Sequence, residues 1–234
     1  RPAELPPAPA PDHRSELLAG LHGVIVKMPC SMIAARLDDG TKVTLNGLTA
    51  LGEASELEIR GLVRQSIAQL SPTASVVWQV QRIKGPYCPA VDLLRPASGV
   101  NRSAPSPELA GPGGLRVTMP DFPGSLTVDV YSGDGLVHHL FPGPGNAARK
   151  LPANAAVPIA RPAVSPATDI AATNAQASLL TAIASSVQLP GAARPADEPA
   201  AGYLKELGDA IARVRSSGAT VTANAISVDP ASGK

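Results

Sequence analysis

The chain has 234 residues, a formal net charge of +1, 44% hydrophobic residues and only 3% aromatic ones. So balanced a charge gives no electrostatic reason to expect nucleic acid or an acidic membrane surface as a partner. No stretch approaches the roughly 20 apolar residues that a membrane helix needs. Much of the apolar content is alanine, so any core must rest on Leu, Ile and Val, at roughly 1.5–3 kcal/mol for each fully buried side chain. Two small cores are expected rather than one large one. Pro and Gly, at 25 and 21 residues, exceed their usual combined share of roughly 12% and are unevenly spread. The chain starts at Arg1 with no Met and no apolar leader, so it is expected to be a processed protein or an excised segment.

Residues 1–12 are proline-dense, which favours extended polyproline II and forbids a helix, so they read as a tether. The first compact unit is expected over 13–95. Leu17, Leu18, Leu21, Val24, Ile25 and Met28 recur at helical spacing until Pro29 stops them. Ile33, Ala35 and Leu37 alternate, as do Val43 and Leu45, and Asp38-Asp39-Gly40 between them signals a hairpin. Gly47 and Gly52 punctuate the exit. A second helix is expected from about Glu53 to Leu70, with Ile59, Leu62, Val63, Ile67 and Leu70 on one face and Glu53, Glu56 and Glu58 in its first turns. Val76, Trp78 and Val80 then mark a third strand.

The stretch 96–114 reads PASGVNRSAPSPELAGPGG. It has almost no large apolar side chain to offset its ordering entropy, so it reads as a linker. The second unit is expected over 115–234. Leu115, Val117 and Met119 alternate; Leu126, Val128 and Val130 form a strand; Ser132-Gly133-Asp134-Gly135 turns the chain; and 136–141 returns. Short strands are expected near 157–159. Leu179, Leu180 and Ile183 fit either a strand or a helix. A helix is expected over about 195–217, with Tyr203, Leu204, Leu207, Ile211 and Val214 as its stripe and Asp209 paired to Arg213. Gly218 ends it, and 220–228 alternates as a final strand. The fold class expected is α+β.

The helix–strand–strand–helix–strand order over 13–95, with Val43-Thr44-Leu45-Asn46-Gly47 as its strand and glycine exit, resembles the BON domain, a small bacterial module found mostly in the periplasm. Pro29-Cys30 and Gly85-Pro86-Tyr87-Cys88-Pro89 are similar to a subset of such domains fused to bacterial serine/threonine kinase-like proteins. The runs Leu126 to Tyr131, Gly135 to Pro142, Ala182 to Ser186 and Glu198 to Leu204 resemble a bacterial domain of unknown function with a β-sandwich-like core. That domain ends the same kinase-like or caspase-like chains. The tandem implies a receptor-like arrangement with this chain as its exported part. There is no glycine-rich phosphate loop and no His-Arg-Asp or Asp-Phe-Gly motif, so no catalysis is carried over.

Cys30 and Cys88 are the most informative residues. On that resemblance, and because the ends of the first and third strands lie close in a small sheet, they are expected to form a disulfide in an oxidising compartment. The alternative is two unrelated buried thiols. No metal site is expected: neither cysteine has a CxxC partner, and no histidine sits at ligand spacing beside it. His138 and His139 adjoin on a strand and so point to opposite faces, one expected exposed and the other half-buried; His13 and His22 stand apart. Asp129 and Asp134 lack calcium-loop spacing, Gly124-Ser125 lacks a nucleophile elbow, and Ser185-Ser186 has no base in view. Trp78 and Met28, Met32 and Met119 are expected in the core, and Tyr87, flanked by prolines, at a contact surface.

The function expected is therefore a non-catalytic, periplasmic or otherwise extracytoplasmic sensing or binding region of a larger bacterial envelope protein. The partner class is an envelope protein or polymer, with no nucleic acid and no cofactor. Membrane contact is expected only through segments outside this chain. The rival expectation is a structural subunit of an envelope-associated assembly or filament.

Overall fold

A computed structural model describes residues 13–38, 42–95, 103–110, 114–146, 149–159, 178–189 and 194–228. The tether read over 1–12 lies outside these residues. The fold is α+β.

The first unit comprises α1 (His13–Ile25), β1 (Ser31–Asp38), β2 (Lys42–Thr49), α2 (Glu53–Leu70), β3 (Ser75–Arg82) and α3 (Cys88–Leu94). Leu17, Leu21 and Ile25, one helical turn apart, turn the same side of α1 inward and are nearly fully buried. Strands β1 and β2 pair antiparallel from Ser31–Thr49 to Asp38–Lys42, as the hairpin signal requires. Strands β2 and β3 pair in parallel, which needs a crossover, and α2 supplies it. Helix α2 buries Val63 and Ile67, whereas Leu62 and Leu70, expected on the same face, are 52% and 48% exposed.

Two expectations in this unit are corrected. Strand β2 does not end at Gly47 but runs through it. Gly47 has φ +141°, and a Cβ there would lie 2.0 Å from the Met32 carbonyl oxygen, so glycine is needed for close strand approach rather than for an exit. The residues after Cys88 fold as the helix α3, with Pro89 in its first turn and Ala90, Val91 and Leu94 buried.

The second unit comprises β4 (Ser106–Ala110), β5 (Gly114–Thr118), β6 (Ser125–Tyr131), β7 (Leu136–Phe141), β8 (Ala156–Ile159), β9 (Ser178–Ser185), β10 (Asp197–Pro199), α4 (Ala200–Ser216) and β11 (Val221–Val228). Strands β4, β5 and β8 form one sheet in the order β4-β5-β8; the others form a five-stranded sheet in the order β10-β7-β6-β9-β11. Strand β4 lies inside the stretch read as a linker. It forms through its backbone ladder to β5, from Ser106–Thr118 to Ala110–Gly114, not through apolar content, and Pro107 is tolerated because β4 is a sheet edge.

Strand β9 explains its ambiguous pattern: all eight of its residues are buried. Leu180, Ala182 and Ala184 face a core shared with β5 and β8, and Leu179 and Ile183 face α4 and the first unit. Helix α4 starts at Ala200 because Pro199 ends β10. Its Asp209 pairs with Lys205 at 3.3 Å rather than with Arg213. Gly218, at φ +79°, stops it.

Each unit has its own small core, one around Leu21, Leu45 and Val63 and one around Val117, Leu126 and Leu180, and a third core, not expected, joins them. Ile83, Tyr87, Val91 and Leu94 of the first unit pack in one hydrophobic cluster with Leu179, Ile183, Leu207 and Ile211 of the second. Helix α3 carries this junction, with Leu93 set against Gly208 of α4. Among the described residues, no helix is long and apolar enough to cross a membrane.

Candidate functional site

Cys30 and Cys88 form a disulfide, with Cα atoms 4.5 Å apart. Cys30 sits just before β1 with φ 50°, a conformation an L-residue adopts only when its surroundings hold it there. Its N–H donates to Asp92 Oδ1 at 2.7 Å, and its carbonyl accepts from Ala50 N–H at 2.8 Å. The Asp92 carboxylate also lies 3.5 Å from Cys88 Sγ, but a disulfide sulfur carries no proton to donate. Asp92 in turn pairs with Arg95 at 3.2 Å. The bridge therefore ties α3, the helix of the junction, to the start of β1. Tyr87, expected at a contact surface, is instead 1% exposed and part of the shared core. Its ring is too large an apolar body to stay outside the cluster that α3 completes.

The two histidines of β7 do point to opposite faces, but neither is exposed: His138 and His139 are 8% and 6% accessible. Each meets an acidic residue of β10. His138 Nδ1 lies 2.6 Å from Asp197 Oδ1, and His139 Nε2 lies 2.9 Å from Glu198 Oε1. The antiparallel register places Asp197 opposite His138, and the period-2 alternation then puts Glu198 on the face of His139.

The His139 face holds the densest polar cluster. His139 Nδ1 lies 2.8 Å from Asp129 Oδ1. Asp129, on β6 and 0% exposed, also accepts from the Tyr203 hydroxyl of α4 at 2.6 Å. Arg194 donates to Glu198 at 3.1 Å and to Glu206 of α4 at 2.6 Å, with its guanidinium 5.2 Å above the Tyr203 ring. The Tyr203 ring meets His139 edge to face at 4.7 Å. Burial opposes charge on His139, but hydrogen bonds and Coulomb attraction from Asp129 and Glu198 outweigh it and raise its pKa above the ordinary 6.5. Burial, then the Asp129 charge, holds Tyr203 neutral by pushing its pKa well above 10.0, so the phenol stays a donor. An imidazole with a carboxylate on each nitrogen must donate twice. In this state it has no lone pair with which to act as a base, and its role is that of a charged tie between β6, β7 and β10.

On the opposite face, Asp197, His138 and Ser132 stand in the hydrogen-bonded order of orienting acid, base and nucleophile, with His138 Nε2 3.2 Å from Ser132 Oγ. Ser132 Oγ, however, also donates to Asp134 Oδ1. That hydrogen bond, set against partial burial, lowers the Asp134 pKa. An ionised carboxylate beside the hydroxyl competes with His138 for its proton and opposes negative charge on an attacking oxygen. The arrangement locks the β6–β7 turn and ties it to β10.

Asp129, Tyr203, Glu198 and Arg194 were not legible as a cluster, because they lie up to 74 residues apart. Locally, Asp129 shares its strand face with Ser125, Thr127 and Tyr131, opposite Leu126, Val128 and Val130, so it reads as an ordinary polar position of an alternating strand. The Asp38 carboxylate serves the hairpin, accepting from Thr44 at 2.7 Å and pairing with Arg36 at 2.8 Å. Trp78 is half-buried, its Nε1 donating to Glu56 at 3.3 Å. Met28, Met32 and Met119 lie in the core. Compared with protein-family models, curated proteins and solved structures, the chain matches none of them.

Proposed function

We propose that this chain is a non-catalytic binding or sensing region of a larger bacterial envelope protein, acting outside the cytoplasm. The observation that carries this reading is the Cys30–Cys88 disulfide at the junction between the two units. Structural disulfides persist in oxidising compartments and are rare in reducing ones. A bridge that braces the helix joining two units suits a region whose work is to present a surface or transmit a contact. The receptor-like tandem that the sequence resembles supports the same reading. The test is thiol alkylation of protein taken from its native compartment, with and without reductant, followed by peptide mapping. Resistance until reduction, with a Cys30–Cys88 peptide, supports it; free alkylation of both cysteines overturns the location.

The Ser132–His138–Asp197 order favours a second reading, a serine hydrolase. It requires turnover of an activated ester such as p-nitrophenyl acetate that disappears in Ser132→Ala. The competing Asp134 carboxylate makes the expected result no Ser132-dependent turnover.

A further inference from the structure

We infer that the chain senses pH through His139, whose protonated ring clasps the edge strand β10 onto β7 and whose deprotonation releases it. The inference deepens the sensing reading by naming its stimulus, and rests on that reading for its biological use.

The geometry is asymmetric in a way that decides which contact breaks. Among the described residues, the titratable and charged groups around the ring are Asp129 and Tyr131 from β6, Glu198 from β10 and Tyr203 from α4, with Arg194 and Glu206 one step outward. A neutral ring keeps one N–H. Asp129 is fully buried and cannot be left with fewer donors without a large desolvation penalty, so Nδ1 keeps the proton. The Nε2 lone pair then faces Glu198 Oε1 across 2.9 Å, two acceptors with no proton between them. Glu198 is the partner that can yield: its side chain is 20% exposed against 0% for Asp129, and Arg194, bonded to both its oxygens, can keep it paired away from the ring.

Outside the His139 contact, β10 is held by Arg194, which bonds both Glu198 carboxylate oxygens and Glu206 of α4, and by the Ala200 N–H, which donates to Gly135 O at 2.9 Å. The strand is three residues long and sits at the edge of the five-stranded sheet. Its ties to β7 are a short backbone ladder, with His139 N–H donating to Ala196 O at 3.0 Å, and the two histidine–acid contacts, of which Asp197 at His138 is half-exposed. The residue after β10 begins α4, and Pro199 offers no side-chain cap there. Release of β10 therefore uncovers the backbone edge of β7, the kind of edge to which an extended partner segment adds, while Tyr203 keeps α4 tied to Asp129.

The sign follows from the raised pKa. The clasp is closed when His139 is protonated, and it opens as pH rises through the folded-state value, above the ordinary 6.5. The decisive experiment follows the His139 ring nitrogens and the 194–200 amides of the full chain by nitrogen-15 NMR between pH 5 and 9. The expected result is one shared midpoint for the ring and for the shifts and exchange protection of Asp197 and Glu198, with β6 and β9 protection unchanged. In Glu198→Gln the amide can donate to a neutral ring, so the His139 proton affinity should fall about tenfold or more and β10 protection should lose its pH dependence. Constant β10 protection through the His139 titration overturns the proposal. So does a His139 that stays in one state throughout, or loss of the whole fold in place of local release. None of these results bears on the disulfide, so failure here leaves the location to the thiol mapping.

Discussion

The Tyr203 hydroxyl of α4 donates to Asp129 Oδ2 of β6 at 2.6 Å, and both residues are sealed from solvent, at 4% and 0% exposure. A hydrogen bond to a buried charge contributes roughly 1.5–3 kcal/mol, and removing one partner of a buried ion pair costs about 3–5 kcal/mol. Tyr203→Phe should therefore lower unfolding free energy by roughly 1.5–3 kcal/mol, and Asp129→Ala by roughly 3–5 kcal/mol. Urea midpoints at constant m-value measure both. A Tyr203→Phe variant as stable as the parent would show that this bond does not hold α4 to the sheet.

Local signals carried much of the fold and little of this cluster. The first hairpin was legible because Asp38-Asp39-Gly40 separates two alternating runs, and the observed register from Asp38–Lys42 to Ser31–Thr49 follows from it. Helix α4 was legible from its stripe, which buries Tyr203, Leu207, Ile211 and Val214. Strand β4 was not, because a backbone ladder to β5 formed it with almost no apolar side chain. Helix α3 was hidden because seven residues give too few turns to display a period, and its burial comes partly from the other unit. Tyr87 was misplaced for the same reason: local prolines report a turn and say nothing of what packs on it. The His139 cluster depends on strand order, and a sheet ordered β10-β7-β6-β9-β11 cannot be read from neighbouring residues.

Reduction of the disulfide should be strongly destabilising. Cys30 and Cys88 are separated by 58 positions, and a loop of that length is worth about 4 kcal/mol in the chain-entropy model. Asp92, which braces Cys30 from α3, cannot compensate, because its bond to the Cys30 N–H survives only while α3 stays docked. Denaturant unfolding with and without reductant should separate by several kcal/mol. A difference under about 1 kcal/mol would mean that α3 is held by packing alone.

Because a core is shared across the junction, the two units are expected to unfold as one cooperative structure. Leu94 is fully buried in the cluster that also contains Leu179, Ile183 and Ile211. Leu94→Ala should cost about 2–5 kcal/mol, and calorimetry should show a single transition moving as a whole. The segment 13–95 alone should expose Ile83, Tyr87, Val91 and Leu94 and bind a hydrophobic dye. Two transitions, with only one displaced by Leu94→Ala, would mean that the junction is an ordinary interface between independent domains.

Overall stability should also record His139. Its folded-state pKa is raised, so its contribution is fully present below the unfolded value of about 6.5 and is lost as pH rises through the folded value. Urea midpoints should therefore fall on the alkaline side of 6.5, and Asp129→Asn should flatten that slope by removing the stronger of the two attractions on the ring. A parent slope unchanged in Asp129→Asn would assign the titration to another group.

Gly124 tests how closely the entry to β6 approaches its sheet neighbour β9. It exchanges backbone hydrogen bonds with Leu151, at 3.0 and 2.7 Å, and a Cβ on it would lie 2.0 Å from the Ser185 carbonyl oxygen and 2.8 Å from its carbon. Those are backbone atoms of a fully buried strand, so they cannot swing aside as a side-chain tip would. Gly124→Ala should therefore destabilise by at least the roughly 1–3 kcal/mol of ordinary overpacking. Gly61, within α2, has nothing within 4 Å of its Cβ position, and Gly61→Ala should instead stabilise by about 0.5–1 kcal/mol through helix propensity. Thermal unfolding of the two variants separates close approach from backbone entropy. If Gly124→Ala unfolds with the parent, β9 yields at Ser185, and the approach of the β6 entry to that strand is looser than its geometry requires.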